Sequence, residues 1–137
     1  MKKFLGIFLS LILSFSLGVF VESRNQPKVA KLITVNAAEF KQELDKKNVV
    51  ILDIRTPEEF EAGRIAGAIN IDYYASDFRS KLDELDKDVA YKIYCNSGNR
   101  SAETLKVMKD LGFWDVTELS GGIKAWSSDN YPTCIKC

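Results

Sequence analysis

Tyr94-Cys95-Asn96-Ser97-Gly98-Asn99-Arg100-Ser101 closes an apolar run on a cysteine, adds small turn-forming residues and an arginine, and opens a helical pattern at Ser101. The run Val89 to Tyr94 reads as a strand. Ala102, Leu105, Met108 and Leu111 share one helical face, with Gly112 as the C-cap. Cys95 therefore sits at a strand-to-helix junction, where unpaired N–H groups and the positive end of the helix dipole converge. Such surroundings favour a thiolate and make the cysteine a nucleophile. The same N–H groups, with Arg100, suit the anion that a thiolate would attack.

Outward from this junction, short apolar runs alternate with helical patterns. Ile33-Thr34-Val35 predicts a strand, and Asn36-Ala37-Ala38-Glu39 has capping-box form, opening a helix to about Lys47. Val49-Val50-Ile51-Leu52 is continuously apolar, as in a strand covered on both faces. Thr56-Pro57-Glu58-Glu59 gives a threonine cap, a proline at the first helical position and acids in the first turn. A strand over Ala68 to Ile71, a helix over Asp77 to Leu85, a strand over Val116 to Leu119 and a short helix through Trp126 complete the alternation. The pattern predicts an α/β domain with a small, mainly parallel sheet flanked by helices. Ligands of such sheets bind beyond the carboxyl ends of the strands, where Cys95 lies.

Lys2 and Lys3 precede an uncharged stretch from Phe4 to Val21. Residues 1–23 thus read as a signal peptide or an uncleaved N-terminal membrane anchor, which predicts an extracytoplasmic protein, periplasmic or secreted. Residues 24–31, polar and holding Pro27, read as a linker to a domain over 32–133. About 110 residues remain after the export segment, enough for one domain with one core. Nineteen basic residues balance nineteen acidic ones, and there is no basic stripe of the kind nucleic acid needs. The chain has no histidine, which removes a Ser-His or Cys-His catalytic pair. Three cysteines without histidine make a poor zinc site, so neither metal nor cofactor is expected.

Three blocks, in order, resemble the rhodanese (thiosulfate sulfurtransferase-like) family. Leu52-Asp53-Ile54-Arg55-Thr56-Pro57-Glu58-Glu59-Phe60 with Gly67-Ala68-Ile69-Asn70-Ile71 resembles its first signature. Cys95 to Ser101 resembles the active-site loop, and Leu111-Gly112-Phe113, Val116, Leu119, Gly121-Gly122 and Trp126 resemble the last signature. The resemblance implies a rhodanese-like fold and a sulfurtransferase in which Cys95 carries sulfane sulfur as a persulfide. The donor would be a small sulfur-containing anion such as thiosulfate; the acceptor would be cyanide or a thiol, including that of a thioredoxin-like protein. Asn96, Ser97, Gly98, Asn99 and Arg100 would line the anion cradle. Arg55 with Asp53 would shape the pocket or form an ion pair. Cys95 to Arg100 is a six-residue cradle, one residue shorter than that of the cysteine phosphatases, which favours sulfur over phosphate. Asn96 stands where the family often has a basic residue, which weakens the case for thiosulfate. Arg64-Ile65-Ala66 replaces the family's usual His-Ile-Pro. A module that only binds a partner through this loop is the alternative.

Cys134-Ile135-Lys136-Cys137 forms a C-terminal CxxC tail over 134–137, outside the family pattern. A disulfide and a redox-active pair serving the sulfur cycle, or a thiol redox function of its own, are both open.

Overall fold

The computed structural model describes residues 28–137, so the signal or anchor expected over 1–23 lies outside the described residues. The elements are β1 (Lys31–Val35), α1 (Ala37–Leu44), β2 (Val49–Asp53), α2 (Pro57–Ala62), β3 (Ile69–Asn70), α3 (Phe78–Asp83), β4 (Ala90–Tyr94), α4 (Asn99–Asp110), β5 (Asp115–Leu119) and α5 (Gly122–Ser128). The five strands run in the order β1-β5-β4-β2-β3, and every pairing is parallel. The expected α/β architecture is present.

Local sequence explains the helix starts. The Asn36 side chain accepts the Glu39 N–H at 2.9 Å while Glu39 accepts the Asn36 N–H at 3.1 Å. Thr56 and Glu59 make the same reciprocal pair at the head of α2, with Pro57 just inside. Several element ends shift by one or two residues from the sequence reading, and three differences have an evident local cause. Lys31 belongs to β1 rather than to a linker, its N–H donating to the Trp114 carbonyl. Helix α1 stops at Leu44, because the polar run to Asn48 turns the chain, with Asn48 itself at φ 59°. Helix α4 starts at Asn99, two residues before the expected Ser101, with Gly98 at φ 100° serving as its cap.

Period-2 alternation sorts the side chains onto two cores. Tyr91, Ile93 and Cys95 face α3 and α4 with Leu82, Met108 and Val116. Tyr94 and Leu119 face α1 and α5 with Phe40, Ile123 and Trp126. Trp126 meets Phe40 edge-on at 6.2 Å, and its indole N–H donates to the Pro132 carbonyl at 2.8 Å, which holds the C-terminal segment to the domain. One charged residue interrupts the pattern in the central strand. Lys92 is fully buried and is satisfied by Glu43 at 2.9 Å, Thr117 at 3.0 Å and Asp115 at 3.3 Å. Burial alone would raise the Glu43 carboxyl; hydrogen bonds from Lys31, Lys46 and Lys92 outweigh it and hold that carboxyl at about 2.

Candidate active site

The carboxyl ends of β4 and β2 and the first turns of α2, α4 and α5 converge on Cys95. The sequence creates the convergence through β4, whose last residues alternate between the two cores. Tyr94 points to one, its hydroxyl accepting the Ile65 N–H at 3.1 Å. Cys95 points to the other and is 1 % exposed. The chain then turns at once into α4, so the amides of that turn have no helical partners and face the sulfur.

Gly98 donates its N–H to Cys95 Sγ at 3.1 Å and Ser101 donates its own at 3.4 Å. The Ser101 hydroxyl lies 3.4 Å from the same sulfur. The carbonyls of the loop turn the other way: Cys95 accepts the Ile123 N–H at 2.8 Å and Asn96 accepts the Lys124 N–H at 3.1 Å. With acceptors outward and donors inward, the loop presents a partial positive charge to sulfur without using any side-chain cation. Two glycines permit this. A Cβ on Gly122 would lie 2.5 Å from the Cys95 oxygen and from the Asn96 carbonyl carbon and oxygen. One on Gly98 would lie 3.0 Å from the Gly121 nitrogen.

Of the residues expected to line the cradle, Gly98 donates to the sulfur, the N–H groups of Asn96, Ser97 and Asn99 are not among the described donors to it, and the two arginines are engaged with carboxylates. Arg100 directs its fork at Glu59, with both N–H to carboxylate distances at 2.9 Å. It also lies 5.5 Å from the ring of the exposed Tyr74. That bond first, against the opposing effect of burial, keeps Arg100 firmly protonated. The Glu59 carboxyl is held at about 2, chiefly by Arg100 and further by the Thr56 N–H. The Arg100 charge is therefore balanced beside the cysteine instead of being offered whole to a ligand. Arg55 is buried and takes the ion-pair alternative: Nη2 lies 2.6 Å from Asp53 and 2.7 Å from the Gly63 carbonyl. The pair braces the strand end against the exit of α2. Asn96 is half-buried, and Ser97 and Asn99 are exposed.

Cys134 and Cys137 are bonded to each other. Cys134 exchanges two backbone hydrogen bonds with Arg64, at 3.0 and 2.9 Å, and Arg64 Nη2 donates to the Cys137 carbonyl at 3.3 Å. The tail is thus fastened to the segment leaving α2. Arg64, in the place of the family's usual histidine, has acquired that task.

Sequence reasoning gave no individual site role to Glu59, Ser101, Glu118 or Gly122. The signal for Glu118 was present: an acid two residues after Val116 in a short strand shares the Val116 face. The structure buries it at 1 % exposure, with Oε1 accepting the Ser101 hydroxyl at 2.5 Å.

Comparison with known proteins identifies the family of the fold. The family described as Rhodanese-like domain matches residues 36–129. The "probable adenylyltransferase/sulfurtransferase MoeZ" of Mycobacterium tuberculosis is 33 % identical over 109 residues, covering 79 % of this chain and 28 % of MoeZ, so the chain spans under a third of that relative. A sulfurtransferase of Allochromatium vinosum is 35 % identical over 88 residues, which is 64 % of this chain and 80 % of the relative. A crystal structure of a rhodanese-related protein from Thermoplasma volcanium superposes with a TM-score of 0.67 at 34 % identity, covering 75 % of this chain and 98 % of that one. The chain belongs to the rhodanese-like domain family.

Proposed function

We propose that this protein is an exported sulfurtransferase that carries sulfane sulfur on Cys95. The observation that carries the reading is the pair of backbone N–H groups, from Gly98 and Ser101, directed at Cys95 Sγ. The thiolate attacks the outer sulfur of a donor. The donor's S–S bond breaks, its remaining fragment leaves with the bonding pair, and Cys95–S–S⁻ forms. An acceptor thiolate, including one on a thioredoxin-like protein, or cyanide then takes that outer sulfur and returns Cys95 to the thiolate. The inward amides stabilise both anionic forms. Export is supported by Lys2, Lys3 and the uncharged stretch that follows them.

The charge balance bears on the donor. Arg100 is matched by Glu59, and Asn96 supplies no cation. A site that stabilises one negative charge through amides suits an organic persulfide, R–S–S⁻, better than the dianions thiosulfate and inorganic polysulfide. Incubation of the protein with each donor, followed by intact-mass measurement, tests both points. The expected result is the gain of one sulfur atom on Cys95, removed by cyanide, and reached at lower concentration with an organic persulfide than with thiosulfate. Cys95 left unmodified by every donor would instead indicate a module that binds a partner through this loop.

The tail is a structural clip in this reading. A disulfide across so short a loop contributes about 2 kcal/mol on the chain-entropy model. The double variant Cys134→Ser, Cys137→Ser is therefore expected to melt on the order of 10 °C lower and to turn over sulfur at the wild-type rate. Slower sulfide release with unchanged melting would assign the pair to the sulfur cycle.

A further inference from the structure

A chain without histidine must leave the thiol proton of Cys95 somewhere. The loop amides stabilise an anion, and neither they nor the protonated Arg100 accepts a proton. Ser101 Oγ lies 3.4 Å from Cys95 Sγ and 2.5 Å from Glu118 Oε1, so one hydroxyl joins the thiol to a carboxylate. All three residues are buried, at 1 % exposure or less. The hydroxyl also approaches the Gly98 carbonyl at 3.2 Å, a longer contact than the one to Glu118. An acid beneath the first turn of α4 is costly to bury, and the amides and hydroxyl around Cys95 already satisfy the loop without it.

We infer that Cys95, Ser101 and Glu118 form a proton relay in which Glu118 takes the thiol proton through Ser101. In the resting state the thiol donates to Oγ, and Oγ donates to Oε1. Two protons then shift one place each. The S–H bond breaks, the serine gains one proton as it gives up another, and an O–H bond forms on Glu118. The single negative charge of the trio moves from carboxylate to sulfur, where the Gly98 and Ser101 N–H groups receive it. No oxidant or reductant takes part. When an acceptor later removes the outer sulfur, the reverse shift reprotonates Cys95. Glu118 acts through Ser101 and is a positioning residue for the proton. This inference rests on Cys95 being the reactive thiolate of the proposed sulfur transfer.

The other charged groups facing the trio are Arg100 of α4 and its partner Glu59 of α2. Lys124 of α5 meets the loop through its backbone and is exposed, while Lys92 of β4 bonds to Glu43, Asp115 and Thr117 on the opposite face.

Cys95 is the free cysteine among the described residues, so its alkylation by iodoacetamide can be followed directly on the full chain. In the wild type the proton moves within the trio, so alkylation declines only shallowly between about pH 8 and about pH 5. In Glu118→Gln, which preserves shape and can still bond to Ser101, the proton must leave to solvent. The rate is then expected to fall about tenfold per pH unit, to at least about tenfold below wild type at pH 5, and to match it within about twofold at pH 9. Ser101→Ala, which leaves the carboxylate in place, should show the same acid loss, and the double variant should be no slower than the slower single one. Glu118→Gln alkylated faster than wild type at every pH would show that the carboxylate only repels the thiolate, and would overturn the relay. Multiplying effects in the double variant would overturn it too. Should Glu118→Gln melt far below wild type, Ser101→Ala decides alone. A wild type with the predicted profile that takes no sulfur from any donor would remove the sulfurtransferase reading and leave the relay standing. Sulfur uptake with no acid loss in either variant would do the reverse.

Discussion

Gly122→Ala is expected to lower the melting temperature by on the order of 10 °C and to remove sulfur uptake at Cys95 with it. The glycine sits at φ 60°, a backbone that costs alanine about 1 kcal/mol. The larger effect is contact. The new methyl would meet three backbone atoms of Cys95 and Asn96 at 2.5 Å, none of which can rotate away as a side chain would. Overpacking of this kind costs about 1–3 kcal/mol, and each kcal/mol shifts the melting temperature by about 4–8 °C in a domain of this size. Relief by backbone movement would carry the loop off the first turn of α5 and turn its amides away from sulfur. Gly67→Ala is the control: its φ is 81°, yet an added Cβ meets nothing within 4 Å. Thermal melts and intact-mass assays on the two variants separate the effects. Equal melting of both would show that the loop yields to the methyl without cost.

Arg100→Met is expected to destabilise the domain by about 1–2 kcal/mol and to slow loading from thiosulfate at least about tenfold. The methionine replaces the apolar stem but leaves Glu59 as an unbalanced charge next to the site. Glu59→Gln should act in the opposite sense on loading, because it frees the Arg100 charge and so favours a dianionic donor. Arg100→Lys should recover part of the loss, since a lysine cannot reproduce the two-pronged contact. The pair also sets an acid limit. Glu59 has its carboxyl at about 2 in the fold, against an ordinary value of 4.5. A lowered folded value stabilises above the ordinary one, and that stabilisation is lost as pH falls from about 4.5 towards about 2. Melting temperatures measured across that window should fall more steeply for wild type than for Arg100→Met. Parallel curves would mean that Arg100 does not set the Glu59 charge.

What the sequence revealed was local. The Asn36–Glu39 and Thr56–Glu59 caps span three residues, and the apolar runs declare themselves without distant partners. Cys95 at the end of β4 was equally plain, because strand, turn and helix follow one another within a few residues. The start of α4 was misplaced because Gly98 caps it through backbone conformation and offers no side-chain signal. The partners of the reactive loop were hidden for another reason. Glu59 meets Arg100 across 41 residues, Glu118 meets Ser101 across 17, and the Gly122 contact exists only once α5 has folded back under β4. Arg100 read as an anion ligand because its place at a helix start is visible in the sequence, whereas its pairing with Glu59 is not.

The main-chain attachment of residues 95–98 separates two requirements that many reactive loops combine. Position is set by carbonyls bonded to Ile123 and Lys124 and by amides bonded to sulfur. Among the described contacts, no side-chain hydrogen bond of Asn96, Ser97 or Asn99 helps to hold it. Those three side chains form a replaceable rim on a fixed mounting. Under the proposed sulfur transfer, charge, bulk or polarity could be exchanged there to admit a different donor while Cys95 stays where it is, so donor preference would be free to drift faster than the chemistry beneath it.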